Sequence, residues 1–373
     1  MAQFIRRGLR MRENFDWPLF LSVAMIAIVG VVNLYSATSP YIDMEMKSGL
    51  ADVYVTQVYW IVVGGLLSVL VASIDYRNFE RLAYVIYVGG LLGLLLVFVL
   101  SSDVRGASRW IRLGSFAYQP SEFMKLGVIL AVARFLSDDS KVEARTVVDL
   151  VPVFVLCTIP AALVMLQPDF GTSTIYSLSV ACMLAITKVR VRSVLTVLGA
   201  LAVAVPPTWM YVLEDYQKAR VTSFLNPEAD LTGAGWHAFQ SQTAIGNGGV
   251  WGAGFREGTQ NQFGFIPDQY SDFPFSVFAE DWGFVGCMAL LGVYAFICIW
   301  SVKIASMAKD RFGAAVAIGV GAMVFWHSFF NVGMVLGLLP VVGITLPLFS
   351  YGGSSVVTFL IGFGLLMNVS VRR

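Results

Sequence analysis

The chain has 373 residues, 57% of them hydrophobic and only 13% charged, with a formal net charge of +1. That balance excludes a soluble globular enzyme and a nucleic-acid binder, and it fits a polytopic membrane protein. With charge so scarce, the few polar clusters become the informative part of the sequence.

Apolar stretches of about 20 residues, enough to cross roughly 30 Å of hydrocarbon as helices, recur along the whole length. Ten are predicted: Trp17–Thr38, Tyr54–Ile74, Leu82–Leu100, Pro120–Leu136, Leu150–Leu166, Thr172–Thr187, Ser193–Leu213, Asp272–Ser301, Gly313–Leu338 and Gly353–Val369. The fold expected is an all-α polytopic membrane protein, a single integral membrane domain over 1–373 with a long loop, 214–271, between the seventh and eighth helices. The first span is too long for a removed signal and lacks a small-residue cleavage site, so it is read as retained. Cys157, Cys182, Cys287 and Cys298 all fall in apolar helical stretches, where a buried small hydrophobe is the expected role.

Orientation follows from basic residues, which accumulate in cytoplasmic segments. With Arg6, Arg7, Arg10 and Arg12 inside, the other inside segments carry Arg77, Arg81, Lys141, Arg145, Lys188, Arg190, Arg192, Lys303, Lys309, Arg311, Arg372 and Arg373. That is about two-thirds of all Lys and Arg, so both termini are expected to be cytoplasmic. The unusual polar motifs then gather on the outer face. Chemistry there has no nucleotide pool to draw on and needs a substrate that arrives activated, such as a lipid-linked pyrophosphate.

Between the third and fourth helices come Arg105-Gly106-Ala107-Ser108-Arg109-Trp110-Ile111 and Gln119-Pro120-Ser121-Glu122. Glu122 and Lys125 are three apart, close enough to pair, and a lysine at the bilayer edge needs either that carboxylate or an anionic ligand. Pro120 and Glu122 are also ordinary residues for a helix start. Gln167-Pro168-Asp169-Phe170-Gly171-Thr172 joins the fifth and sixth helices. Arg109, Arg112, Arg220 and Arg256 are further outer cations; singly each could contact lipid headgroups, while as a group they suit a pyrophosphate.

Within the long loop, Ala244 to Gly254 has too many glycines for a helix and too few strand formers for a sheet, so it reads as a loop whose backbone comes close to something. Its nested GxG spacings lack the strand and helix of a nucleotide-binding unit. Trp236, Trp251, Phe255, Phe263, Phe265, Tyr270 and Phe275 suit interfacial anchoring or sugar stacking. His237 and His327 have no second ligand at metal spacing, so no zinc or iron site is argued. Asp272 stands where this loop becomes a helix; it reads either as an N-cap or as a fixed, ionised carboxylate able to act as a general base. Glu280 and Asp281 follow deeper in the same helix, on different faces, and are expected to be paired or to lie above the hydrocarbon.

Several separated motifs occur in an order that resembles the SEDS family (shape, elongation, division and sporulation), its RodA branch more than its FtsW branch. They are Arg109-Trp110-Ile111 with Leu113-Gly114; Gln119-Pro120-Ser121-Glu122-Phe123 with Lys125; Gln167-Pro168-Asp169 with Gly171-Thr172; and Phe224-Leu225-Asn226-Pro227. Ala244-Ile245-Gly246 with Gly248-Gly249 and Gly252-Ala253-Gly254 follow, then Asp272-Phe273, Gly283-Phe284-Val285-Gly286, Pro340-Val341 with Gly343-Ile344, and Ser350-Tyr351-Gly352-Gly353-Ser354. The resemblance covers nearly the whole chain. It implies a ten-helix peptidoglycan glycosyltransferase that polymerises lipid II at the outer face of the bacterial cytoplasmic membrane during cell elongation, in complex with a class B penicillin-binding protein resembling PBP2. It maps the family's essential acid onto Asp272 and its helix-four Glu and Lys onto Glu122 and Lys125. This chain departs from the family at Asp281 and Asp268, where Glu is usual, and at Pro274, where a β-branched residue is usual. The site expected is therefore Asp272 as base, with Lys125, Glu122, Arg109, Arg220 and Arg256 binding substrate. No cofactor is demanded, although Mg²⁺ or Mn²⁺ could assist. Rival readings are a lipid II flippase, which needs a polar path through the bilayer centre, and a non-catalytic scaffold for the penicillin-binding protein.

Overall fold

The structure, a computed structural model, describes residues 15–40, 52–100, 109–113, 116–139, 143–225, 234–266 and 268–373. Arg6, Arg7, Arg10, Arg12, the 105–108 end of the arginine motif, Gly114, Lys141, Asn226 and Pro227 lie outside the described residues.

Ten long helices stand at the predicted places: α1 (Trp17–Ala37), α2 (Val53–Ser73), α3 (Tyr76–Leu100), α4 (Pro120–Asp138), α5 (Val147–Met165), α6 (Phe170–Ala185) and α7 (Val191–Pro207), then, after three shorter helices, α11 (Pro274–Met307), α12 (Arg311–Val335) and α13 (Gly353–Val371). Among the described residues, eight of the ten are long and apolar enough by themselves to cross a bilayer. The exceptions have simple causes. Helix α4 carries Glu122, Lys125, Arg134 and Asp138, and α6 has only 16 residues. The protein is a multi-pass membrane protein. A two-stranded hairpin, β1 (Ile111–Leu113) with β2 (Phe116–Tyr118), precedes α4 and was not predicted.

Local chemistry sets the ends. Pro120 opens α4, where its missing N–H costs nothing. Asp169 caps α6 by accepting from the Thr172 N–H at 3.2 Å. Thr146 and Asp149 form a capping box on α5. Pro206 and Pro207 bring α7 to its end in a π turn, Thr208–Val212. Helix α12 is the hub, packed against α4, α6, α11 and α13, while α7 sits at the rim against α5 with most of its side chains facing lipid. All four cysteines are free thiols, buried or half-buried among apolar neighbours.

The long connection is not a loop throughout. It folds into α8 (Asp215–Leu225), α9 (Ala234–Gly248) and the single turn α10 (Thr259–Gln262). Ala244–Gly248 therefore belongs to a helix, contrary to expectation, and the irregular run begins at Gly249. Packing of α9 against α11 outweighs the weak helix propensity of Gly246 and Gly248.

What the glycine run approaches is the backbone of α11. That helix is broken at Gly283, whose φ of 65° and ψ of −166° are not helical. The break frees carbonyls before it and N–H groups after it, which cannot go unbonded when buried. The 249–254 segment supplies both kinds of partner. Ala253 N–H donates to Glu280 O at 2.8 Å and Gly254 N–H to Asp281 O at 3.2 Å, while Phe284 N–H donates to Gly249 O at 2.9 Å and Val285 N–H to Val250 O at 3.1 Å. The approach leaves no room for side chains, since a Cβ on Gly252 would lie 2.1 Å from Asp281 O and one on Gly283 would lie 2.3 Å from Gly252 N. Residues 274–282 thus form a separate short rod ahead of the longer part of α11.

Candidate active site

Asp272 stands at the head of that rod. The N-cap position belongs to Phe273 and the helix starts at Pro274, so Asp272 lies one residue outside the cap; this corrects the capping interpretation. Its position is fixed by its main chain instead. The Asp272 N–H donates to Asp268 O at 3.1 Å, and its carbonyl accepts from Asn331 Nδ2 at 3.0 Å. Its side chain is half-buried rather than sealed.

The element that gathers the site is the strap between α12 and α13, Val342 to Thr345, in which each residue meets a different part of the machinery. Val342 O accepts from Arg220 Nη1 at 3.2 Å. Gly343, at φ 74°, lies against the Asp272 carboxylate, and a Cβ there would sit 3.4 Å from Asp272 Oδ2. Ile344 O accepts from Asn331 Nδ2 at 2.7 Å, the same amide that holds Asp272. Thr345 O is 3.0 Å from His327 Nδ1, and Thr345 Oγ1 is 2.9 Å from Ser355 Oγ.

His327 leads on to the predicted lysine. Lys125 Nζ lies 2.9 Å from His327 Nε2 and 2.8 Å from Glu122 Oε2, with the Phe359 ring centroid 5.7 Å away. An ammonium can only donate and a carbonyl can only accept, so the imidazole sits as the Nδ1–H tautomer, accepting from Lys125 and donating to Thr345. Lys125 is 2% exposed and Glu122 6%. The pair therefore lies beneath the strap, not in the open cleft beside it.

That cleft is lined by Arg109, Asp169, Gln217, Arg220, the strap residue Val342 and Val341 just before it. Arg109 reaches it from the segment before β1, its Nε donating to Gln167 O at 3.0 Å and its Nη2 to Pro168 O. Two of the predicted cations therefore converge beside the strap that abuts Asp272. Arg256 does not join them: its guanidinium lies over the Tyr35 ring, 5.2 Å from the centroid, near the break in α11. Arg112 is exposed on β1. Outside the spans, burial pushes the Tyr351 phenol above its usual range, so this ring, 6.2 Å from that of Tyr270, stays neutral at ordinary pH.

Glu280 and Asp281 are both buried and both employed in construction. Glu280 accepts from the Gln260 N–H at 2.9 Å and the Asn261 N–H at 3.1 Å, thereby capping α10. Asp281 accepts from Ser36 Oγ on α1. Asn331 and His327 are the members that sequence reasoning missed. Both are buried polar residues in an apolar helix, a signal that was available.

The Cell cycle protein family, which takes in FtsW, RodA and SpoVE, matches residues 16–373. The chain belongs to the FtsW/RodA/SpoVE family. Among relatives of known name, it is 36% identical to the peptidoglycan glycosyltransferase MrdB of Escherichia coli K12, covering 97% of this chain and 96% of that one. It is 31% identical to the peptidoglycan glycosyltransferase RodA of Treponema pallidum, covering 97% and 98%. Among solved structures, one chain of a peptidoglycan synthase complex superposes with a TM-score of 0.82 at 34% identity, covering 95% and 97%. The rod shape determining protein RodA of Thermus thermophilus superposes at 0.69 with 29% identity, covering 95% and 96%. The FtsW/RodA/SpoVE match begins at the residue before α1 and runs to the last residue, so the strap, the broken α11 and the Arg109–Arg220 cleft all fall inside it.

Proposed function

We propose that this chain is a peptidoglycan glycosyltransferase that polymerises lipid II, with Asp272 as general base. The observation that carries the assignment of roles is the strap: Gly343 abuts the Asp272 carboxylate while its neighbour Val342 holds Arg220, so an acid and a cationic cleft lie on consecutive residues. In the reaction, a sugar hydroxyl of one lipid-linked disaccharide attacks the anomeric carbon of another. Asp272 takes the hydroxyl proton as the new C–O bond forms. The bond from the anomeric carbon to the polyprenyl pyrophosphate breaks, and the departing anion is met by Arg109 and Arg220. Lys125, held by Glu122 and His327, acts from behind the strap through the His327 contact with Thr345. Arg256, whose guanidinium lies over the Tyr35 ring, stands apart from the Arg109–Arg220 cleft and takes no part in the step.

Among the described residues, no three His, Cys, Asp or Glu side chains gather as a metal site. Mg²⁺ or Mn²⁺ would act with the pyrophosphate rather than in a protein cage. The partner in this reading is a class B penicillin-binding protein, a PBP2-like transpeptidase, and the setting is the bacterial cytoplasmic membrane with the strap facing outward. The basic residues on the opposite end of the bundle support that orientation.

Incubating the purified chain with lipid II and resolving the products tests the activity. Glycan polymer is expected, and its absence with folded protein overturns the assignment. For orientation, a single cysteine at the exposed Asn247 should react with an impermeant thiol reagent in intact cells, and one at the exposed Ser306 should not. Labelling at Ser306 reverses the topology.

A further inference from the structure

At the end of the bundle away from the strap, a second cavity of about 320 Å³ opens among the last turn of α4, the segment entering α5, the α6–α7 link and the start of α12. Leu136 and Ile186 give it apolar lining. Arg145, Lys188 and Arg311 give it three cations, against one lining carboxylate, Glu143. None of these residues takes part in the proposed transfer site.

Arg145 is the built component. It is 5% exposed, and its main chain is pinned between two links: its N–H donates to Lys188 O at 2.8 Å, and its carbonyl accepts from the Arg190 N–H at 3.0 Å. Its Nε donates to Asp139 Oδ2 at 3.1 Å, which fixes the direction of the side chain. Among the described residues, its two terminal nitrogens have no hydrogen-bond partner. Arg311 is held from the other side by donation from Nη1 to Asp139 O at 3.0 Å. A preorganised guanidinium with its fork open at the cavity wall, beside a lysine and a second arginine, matches a phosphate group.

The location selects the kind of phosphate. Five helices begin or end around the cavity, which puts it at the boundary between hydrocarbon and water, and apolar lining adjoins the cations. Basic pockets between helices at that level attract anionic headgroups. We propose that this cavity binds the phosphodiester of an anionic phospholipid, with Arg145 as the fork and Lys188 and Arg311 as flanking cations. The lipid would bridge α4, the α6–α7 link and α12, and so steady the root of the rim helix α7.

The test is native mass spectrometry and thermal melting of the full chain in detergent, with phosphatidylglycerol, phosphatidylcholine or inorganic phosphate added at equal concentration. Phosphatidylglycerol should be retained as a one-to-one adduct and raise the melting midpoint, while phosphatidylcholine should do neither. Lys188→Gln with Arg311→Gln, both at exposed side chains, should weaken retention roughly 25-fold, from about fivefold for each cation near a membrane surface. Arg145→Gln should act in the same direction, and the exposed double variant keeps the test valid if Arg145→Gln does not fold. Stabilisation by inorganic phosphate with no lipid adduct would assign the cavity to a soluble phosphate ester and overturn the lipid. Equal retention of the two lipids, or unchanged retention in the double variant, would overturn the site itself.

Discussion

Two irregular segments press into this bundle, and they do opposite things. The 249–254 run meets α11 backbone to backbone: four of its hydrogen bonds mend the break at Gly283, and Gly252 permits that approach. The strap from Val342 to Thr345 turns its carbonyls toward side chains, which donate to it from Arg220, Asn331 and His327. The segment richest in glycine is construction. The plain apolar one is where charge is organised.

Changes at these two segments, and at the groups they hold, should separate the roles. The largest effect is expected at Asp272. Since Phe273 holds the cap position, Asp272→Asn should leave folding and co-purification with a penicillin-binding protein intact while lowering lipid II polymerisation by about 10²–10⁴-fold. Near-normal polymer from the Asn variant would remove Asp272 from the chemistry and reduce the strap to construction as well.

Next comes Lys125. Removing one member of a buried ion pair costs about 3–5 kcal/mol, so Lys125→Ala should lower the denaturation midpoint sharply as well as activity. Pairing Lys125→Met with Glu122→Gln should restore much of the stability and little of the activity. Recovery of both by the double variant would make the pair purely structural.

At the other segment, Gly252→Ala places a methyl group against Asp281 O at a φ of 88°, and a loss of at least about 2 kcal/mol of stability is expected. Activity per folded molecule should change little. A selective loss of turnover with unchanged melting would blur the contrast between the two segments.

The smallest effect is expected at Arg109→Lys, which keeps the charge in the cleft and loses the fork. A roughly tenfold drop in polymerisation with unchanged melting is expected, in line with one charge-assisted bond. An equal drop for Arg256→Lys would show that the cleft is not the distinguishing location.

Much of this was legible in the sequence, and the gaps have physical reasons. Apolar length placed the ten long helices, and clustered glycines announced a close backbone approach without saying to what. The cap was misplaced because Asp is the stronger capping residue by type. Pro274, whose N1 preference puts the cap one residue before it, carried the better signal. His327 looked isolated because its partners, Lys125 and Thr345, lie on other elements, one of them 202 positions away. The strap was visible only as the motif Pro340-Val341 with Gly343-Ile344; its role escaped notice because it works through carbonyls, which every residue has and no composition reveals.

The broken helix also bears on how the chain is assembled. The 249–254 segment is synthesised before α11, so its backbone groups have no α11 partner until the next helix emerges, and that helix in turn arrives with a gap only the earlier segment fills. Each completes the other across about thirty residues of chain, a short loop to close. The short rod at 274–282 is thereby one of the pieces that can form early, before α12 and the strap exist.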